Sequence, residues 1–180
     1  MESLDAKDID KEFGELLSTQ YYGPKSKIDG VQIIQNRRFK DDGGSFMEIA
    51  RFSDGSLLNP NVEFSIAQIN HSYIAPGVIK AWHIHFKQED IWFVPPRDKL
   101  LVGLFDVRKD SPSFGTEMRI VLGDGDGHVL LIPRGVAHGC ANLYDRDMQL
   151  LYLVNQHFNE TDPDEHRLPW NALVGDSFWE

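Results

Sequence analysis

A chain of 180 residues carries enough apolar side chain for one sizeable core and is short for two domains. With 41% hydrophobic and 26% charged residues, it has the composition of a folded globular protein rather than a disordered one. A formal charge of −10 and a pI near 5.1 lack the basic footprint that nucleic acid requires, so no nucleic-acid partner is expected; a phosphorylated small molecule, which needs only a few local Lys or Arg residues, stays open.

The acidic start "MESLDAKDIDKEF" has no basic segment followed by an apolar one, so no signal peptide is expected, and no uncharged apolar run approaches the length of a membrane span. The single cysteine, Cys140, cannot form an internal disulfide and points to a reducing compartment. The expected location is cytoplasmic, with no membrane partner.

Along the chain, Leu4, Ile9, Phe13, Leu16 and Leu17 recur at roughly helical spacing and predict a short amphipathic helix over 4–20. It ends before "YYGPKS", a Gly-Pro turn. The pattern then changes to short β-branched and aromatic runs: "GVQIIQ", "SFMEIARF", "EFSIAQIN", "VIKAWHIH", "DIWFVP", "KLLVGLFDV", "EMRIVLG", "HVLLIP", "HGCANLY" and "MQLLYLVNQHF". The turns "DDGG", "SDGS", "PPRD" and "GDGDG" divide them, and strands at this spacing predict an all-β sandwich or barrel. The expected organisation is one domain over 1–180: a helical arm over 1–25, a barrel over 30–160 and an irregular tail over 161–180.

In a strand, His83 and His85 of "AWHIH" point to the same side of the sheet. Gly77, His83, His85 and Glu89 fit the first paired motif of the cupin barrel, a jelly-roll or double-stranded β-helix. Gly127, Pro133, Gly135, His138 and Asn142 fit the second, and Pro96 replaces the first motif's closing glycine. The resemblance implies that His83, His85, Glu89 and His138 converge as metal ligands. Such a set suits Zn, Fe, Mn, Ni or Co with positions left for water or substrate.

A broader resemblance runs from about residue 39 to the end. "QINHS", "GVIKAWHIH", "DVRKDSPSFG", "IPRGVAHG" and "LLYLVNQHF" resemble the dTDP-4-dehydrorhamnose 3,5-epimerase family, itself a cupin family. Its enzymes invert carbons beside a ketone on a nucleotide-linked sugar, need no metal, and are dimeric. Carried over by position, His83 is the base and Tyr152 the acid, while Gln68, Asn70, Lys80 and His138 line the substrate pocket. The resemblance thus implies a homodimer acting on a nucleotide-sugar or another carbonyl compound.

Three positions depart from the family. Asp90 and Ile91 stand where its enolate-stabilising lysine is expected, Gly43-Gly44 replaces an Arg-Gly, and the aspartate that orients the base has no clear match. A His83 bound to metal cannot also be a free base, so the two resemblances compete for it. A metal could instead replace the lysine as a Lewis acid. The alternatives are a metal-dependent cupin of another class, a dioxygenase or small isomerase, and a non-catalytic sugar-binding cupin.

Other residues carry plainer expectations. Trp82, Trp92 and Phe93 are expected in the core or pocket wall, His71 at a loop or rim, and His128, His157 and His166 in solvent near turns. Tyr152 could be an interior tyrosine with a satisfied hydroxyl. "DGDG" over 124–127 reads as a tight turn, and Arg108, Lys109 and Asp110 as a charged one.

Overall fold

The computed structural model describes residues 3–20, 22–23, 26–58 and 62–180. In chain order the strands are β1 (Gln32–Gln35), β2 (Arg38–Asp41), β3 (Gly44–Met47), β4 (Phe52–Ser53), β5 (Ser56–Leu57), β6 (Gln68–Ile74) and β7 (Ile79–Ile84). Then follow β8 (Asp90–Phe93), β9 (Lys99–Asp106), β10 (Glu117–Gly123), β11 (His128–Ile132), β12 (Val136–Ala141), β13 (Met148–Val154) and β14 (His166–Arg167). Two five-stranded antiparallel sheets, β1-β11-β8-β13-β6 and β10-β9-β12-β7-β14, form the jelly roll.

The period of two decides what each sheet face does. Between the sheets, Trp92, Leu130 and Leu150 of the first meet Val102, Leu104 and Val136 of the second in one buried cluster. The alternate residues Ile91, Phe93, Val129 and Leu153 face outward and are covered by Ile49, Leu57 and Phe64. On the other sheet, Trp82, Ile84 and Leu101 face outward beneath the C-terminal tail, which contributes Leu168, Phe178 and Trp179. Hydrophobic burial on three layers, at about 1.5–3 kcal/mol per large apolar side chain, holds the two sheets and their covers together.

Two glycines permit close approaches. A Cβ on Gly103 would lie 2.6 Å from Phe178 and 2.6 Å from Trp179, so the absent side chain is what lets the tail lie on β9. A Cβ on Gly139 would lie 2.3 Å from the Ala81 Cβ, where the β12–β7 register shifts between His138 and Cys140. That bulge sits beside His138, a common way to re-aim a side chain next to a site.

The N-terminal arm is less helical than its spacing predicts. It forms a 3₁₀ turn over Ala6–Asp8 and one α-turn over Lys11–Gly14. Asp5 and Asp10 cap these separate turns and Ile9 between them is extended, so no continuous apolar stripe forms. Leu4, Ile9, Phe13, Leu16 and Leu17 are exposed. Pro24 of the predicted Gly-Pro turn lies outside the described residues. The "SDGS" turn joins β4 to β5 with positive φ at Asp54 (51°) and Gly55 (78°), the backbone that a two-residue hairpin favours.

Arg108 is not part of a simple surface turn. Its Nε and Nη2 donate to the fully buried Asp106 at 2.8 and 2.9 Å, and Ser113 Oγ donates at 2.6 Å. Burial alone would push the Asp106 carboxyl up, but these donors outweigh it and hold the carboxyl well below the usual range. A group depressed in this way stabilises the fold fully above the unfolded carboxylate value and loses that contribution as pH falls below about 4. Asp106→Asn should destabilise the protein by about 2–4 kcal/mol, read from chemical denaturation at neutral pH, because it leaves a part-buried guanidinium unpaired. The difference from the parent should shrink as pH is lowered through the carboxylate range.

Candidate active site

The strand alternation that turns Trp82 and Ile84 outward turns His83 and His85 into a cavity of about 890 Å³ between the sheets. The cavity is also lined by Gln68, Asn70, Lys80, Asp90, Trp92, Cys140 and Tyr152, and by the tail segment through Asp164, Glu165 and Arg167. Its volume lies in the range typical of small-molecule sites. His83 stands on the β10–β14 sheet and Tyr152 on the β1–β6 sheet, so they reach the same space from opposite walls. In the latter sheet Tyr152 lies between Asn70 and Trp92. The Tyr152 hydroxyl has no hydrogen-bond partner among the described residues, which leaves it available to a ligand.

His83 is half-buried, and burial is the main reason its pKa lies below the ordinary histidine value. Arg167 and His85 push it the same way; Glu165 and Asp90 oppose them. At neutral pH it is therefore an uncharged imidazole, able to accept a proton. Glu165 and Arg167 arrive because β14 pairs with β7, placing Arg167 opposite His83, while Arg167 Nε holds Glu165 at 2.8 Å.

His138 is fully buried on β12 opposite His83, behind the cavity wall. Burial pushes its pKa down to about 4. Its Nδ1–H donates to the Val136 carbonyl at 2.9 Å, and its Nε2 has no partner among the described residues. The His85 Nδ1–H donates to the Asp164 carbonyl. The carboxylate of Asp164 accepts the backbone N–H groups of Phe86, Lys87 and Gln88 at 3.0, 2.7 and 2.8 Å, which pins the loop between His85 and Asp90. Asp90 is buried, accepting from Gln88 Nε2 at 2.7 Å and Trp92 Nε1 at 2.9 Å.

The four residues of the cupin spacing do not all meet. Glu89 accepts from Asn155 Nδ2 at 3.2 Å, lies 3.8 Å from Arg134, and is not in the cavity wall. Asp90 shares the inward parity of Trp92, which leaves Glu89 on the other side with Ile91. The group that comes together is His85, Asp90 and His138, whose ligand atoms all lie within 4.8 Å of one another. His83 stands outside that group.

Of the remaining predicted pocket residues, Gln68 and Asn70 are joined at 2.5 Å and Lys80 lies at the exposed rim, within reach of the Tyr73 carbonyl at 3.4 Å. His157, expected in solvent, also lines the cavity. Burial pushes the Cys140 thiol up to about 12, so it stays protonated and is no nucleophile. Sequence reasoning missed Asp90, Asp164, Glu165 and Arg167. The parity of Asp90 with Trp92 was a usable signal; the tail residues had none.

A family profile described as dTDP-4-dehydrorhamnose 3,5-epimerase matches residues 25–174. The chain belongs to the dTDP-4-dehydrorhamnose 3,5-epimerase family. The spore coat polysaccharide biosynthesis protein SpsL of Bacillus subtilis is 40% identical over 144 residues, covering 80% of this chain and 91% of that protein. The probable low-salt glycan biosynthesis epimerase Agl13 of Haloferax volcanii is 30% identical over 153 residues, covering 84% and 94%. Among solved structures, the dTDP-4-dehydrorhamnose 3,5-epimerase of Bacillus anthracis, with TDP and pyrophosphate bound, superposes with a TM-score of 0.67 at 25% identity, covering 81% of this chain and 85% of that one. The dTDP sugar isomerase of Desulfovibrio desulfuricans has the same fold, with a TM-score of 0.70. This member of the epimerase family is thus an enzyme of sugar-nucleotide epimerisation or isomerisation on a cupin fold. No helix among the described residues is long and apolar enough to cross a membrane.

Proposed function

We propose that the protein inverts a carbon beside the ketone of a nucleotide-linked 4-keto sugar, with His83 as base and Tyr152 as acid. The observation that carries this reading is their placement on opposite walls of one cavity. The neutral His83 imidazole takes the proton as the C–H bond breaks, and the electron pair moves onto the ketone oxygen as an enolate. The Tyr152 O–H then delivers a proton to the same carbon from the opposite face, leaving tyrosinate and imidazolium, and one proton returns from His83 to Tyr152 through solvent. Each such proton transfer contributes about 10²–10⁴-fold in rate.

Gln68, Asn70 and the rim residue Lys80 are placed to orient the sugar. His138, behind the wall, acts on it only through its neighbours. The family's lysine position falls at Asp90, which lines the cavity, and Ile91, which is buried on the outer face. The reaction as written needs no metal; a divalent transition ion such as Zn, Fe, Mn, Ni or Co would supply the positive charge that Asp90 does not. We take the chain as one cupin domain that works as a cytoplasmic homodimer on a nucleotide-sugar, with no nucleic acid. Family membership favours this reading over a dioxygenase.

Incubation with dTDP-4-keto-6-deoxyglucose, followed by proton NMR, should show new coupling constants for an inverted carbon next to the ketone. Unchanged couplings across a panel of nucleotide-linked ketosugars would contradict the reading. Glu165→Gln should move the acid limb of the kcat/KM profile to lower pH. The lost negative charge makes His83 harder to protonate, so the neutral base persists into more acidic solution. An acid limb moving upward would show that Glu165 does not act on the base.

A further inference from the structure

We propose that His85, Asp90 and His138 form a binding site for one divalent transition-metal ion beside the catalytic cavity, and that His83 stays outside it as the free base. The site itself stands independently of the epimerase reading; only its use as a Lewis acid rests on that reading.

Hydrogen-bond polarity sets these three side chains against one another. The Nδ1–H groups of both histidines are committed to backbone carbonyls, those of Asp164 and Val136. Each neutral ring therefore presents its Nε2 lone pair, in the arrangement by which protein carbonyls commonly orient metal-binding imidazoles. The third member, the Asp90 carboxylate, accepts one hydrogen bond on each oxygen, from Gln88 and Trp92, and keeps further lone pairs. Three acceptors thus face one another: His138 Nε2 lies 3.8 Å from Asp90 Oδ2, and the His85 and His138 rings are 5.2 Å apart. None of the three groups supplies a donor to the others.

An acceptor facing acceptors in a buried place is unfavourable unless a cation or a donor sits between them. The fully buried His138 Nε2, without a partner among the described residues, marks the spot. The chemistry of the set selects the ion. Two imidazoles and one carboxylate suit a transition metal, whereas calcium and magnesium prefer all-oxygen shells. Donors held at about 2.0–2.2 Å from one ion sit roughly 3.0–3.5 Å from each other, so ligand atoms that all lie within 4.8 Å of one another close on an ion by a contraction of at most about 1–2 Å. His85 and Asp90 line the cavity, so the remaining coordination positions of the ion face the space where substrate would lie. A metal there would polarise a carbonyl oxygen. The His83 ring centre is 6.1 Å from that of His138, and the arrangement lets base and metal coexist.

The test is cobalt(II) titration of chelator-treated full-length protein, followed by visible absorption and elemental analysis. One equivalent per chain should bind and raise the unfolding temperature. Asp90→Asn and His85→Gln should each weaken binding by more than about 100-fold, since even outer-sphere changes at metal sites cost 10–100-fold. Glu89→Gln should bind cobalt like the parent. Substoichiometric uptake by the parent would overturn the proposal and leave water or a proton as the occupant. So would uptake that survives Asp90→Asn and His85→Gln, or that is lost in Glu89→Gln. If Asp90→Asn does not fold, His85→Gln, at the cavity surface, carries the test. NMR turnover on the same samples separates the two ideas: cobalt uptake without inversion sinks the epimerase reading and leaves the site standing.

Discussion

His83→Asn should lower the rate of inversion by about 10²–10⁴-fold, the contribution of a positioned general base. Asparagine keeps the approximate size and polarity of the inner half of the ring but has no group that accepts a proton near neutral pH. His83 is half-buried and on a strand whose outer face, at Trp82 and Ile84, holds the tail, so the substitution leaves that packing untouched. Binding of the nucleotide part should change little, and the loss should appear in kcat more than in KM. The measurement is steady-state kinetics by NMR, with calorimetric binding of dTDP alongside. An activity loss matched by an equal loss of dTDP binding would mean that the residue shapes the pocket and does not move the proton.

Tyr152→Phe should separate the two proton transfers. The substitution removes one oxygen, and that hydroxyl has no partner among the described residues, so stability should change by less than about 0.5 kcal/mol. The phenyl ring keeps its contact with the core cluster. Without the donor on the far wall, inversion should fall by about 10²–10³-fold. Exchange of the carbon-bound hydrogen with solvent should persist, because His83 can still remove a proton and return one from the same side. Equal loss of exchange and inversion would assign Tyr152 to sugar binding.

Much of this was legible in short-range pattern. Alternation in "AWHIH" placed His83 and His85 on one side, whereas Tyr152 came in only through the resemblance of "LLYLVNQHF" to the family. An all-β sandwich or barrel followed from short strands between Gly and Asp turns, and the cupin resemblance narrowed it to a jelly roll. What was not legible depends on distant segments. Whether Glu89 or Asp90 turns inward is set by a loop that Asp164 ties down from 76 residues away in sequence, measured to Gln88. The tail looked irregular because β14 has two residues, too few for a period to register, yet it delivers Glu165 and Arg167 to the side of His83. The N-terminal arm misled in the opposite direction: its apolar spacing suited a helix, but capped aspartates and Gly14 divide it into single turns. Arg108 sits in a run that looks solvated and instead neutralises a buried carboxylate.

On the proposed reading, this cavity removes and returns a proton at the carbon beside a ketone. The decisive measurement is deuterium uptake from heavy water into dTDP-4-keto-6-deoxyglucose, read by NMR and mass spectrometry with the wild-type protein. Catalysed uptake next to the ketone is expected, retained in Tyr152→Phe and lost in His83→Asn. Wild-type protein that catalyses no uptake, whether chelator-treated or supplied with cobalt, or uptake that survives His83→Asn, would contradict it.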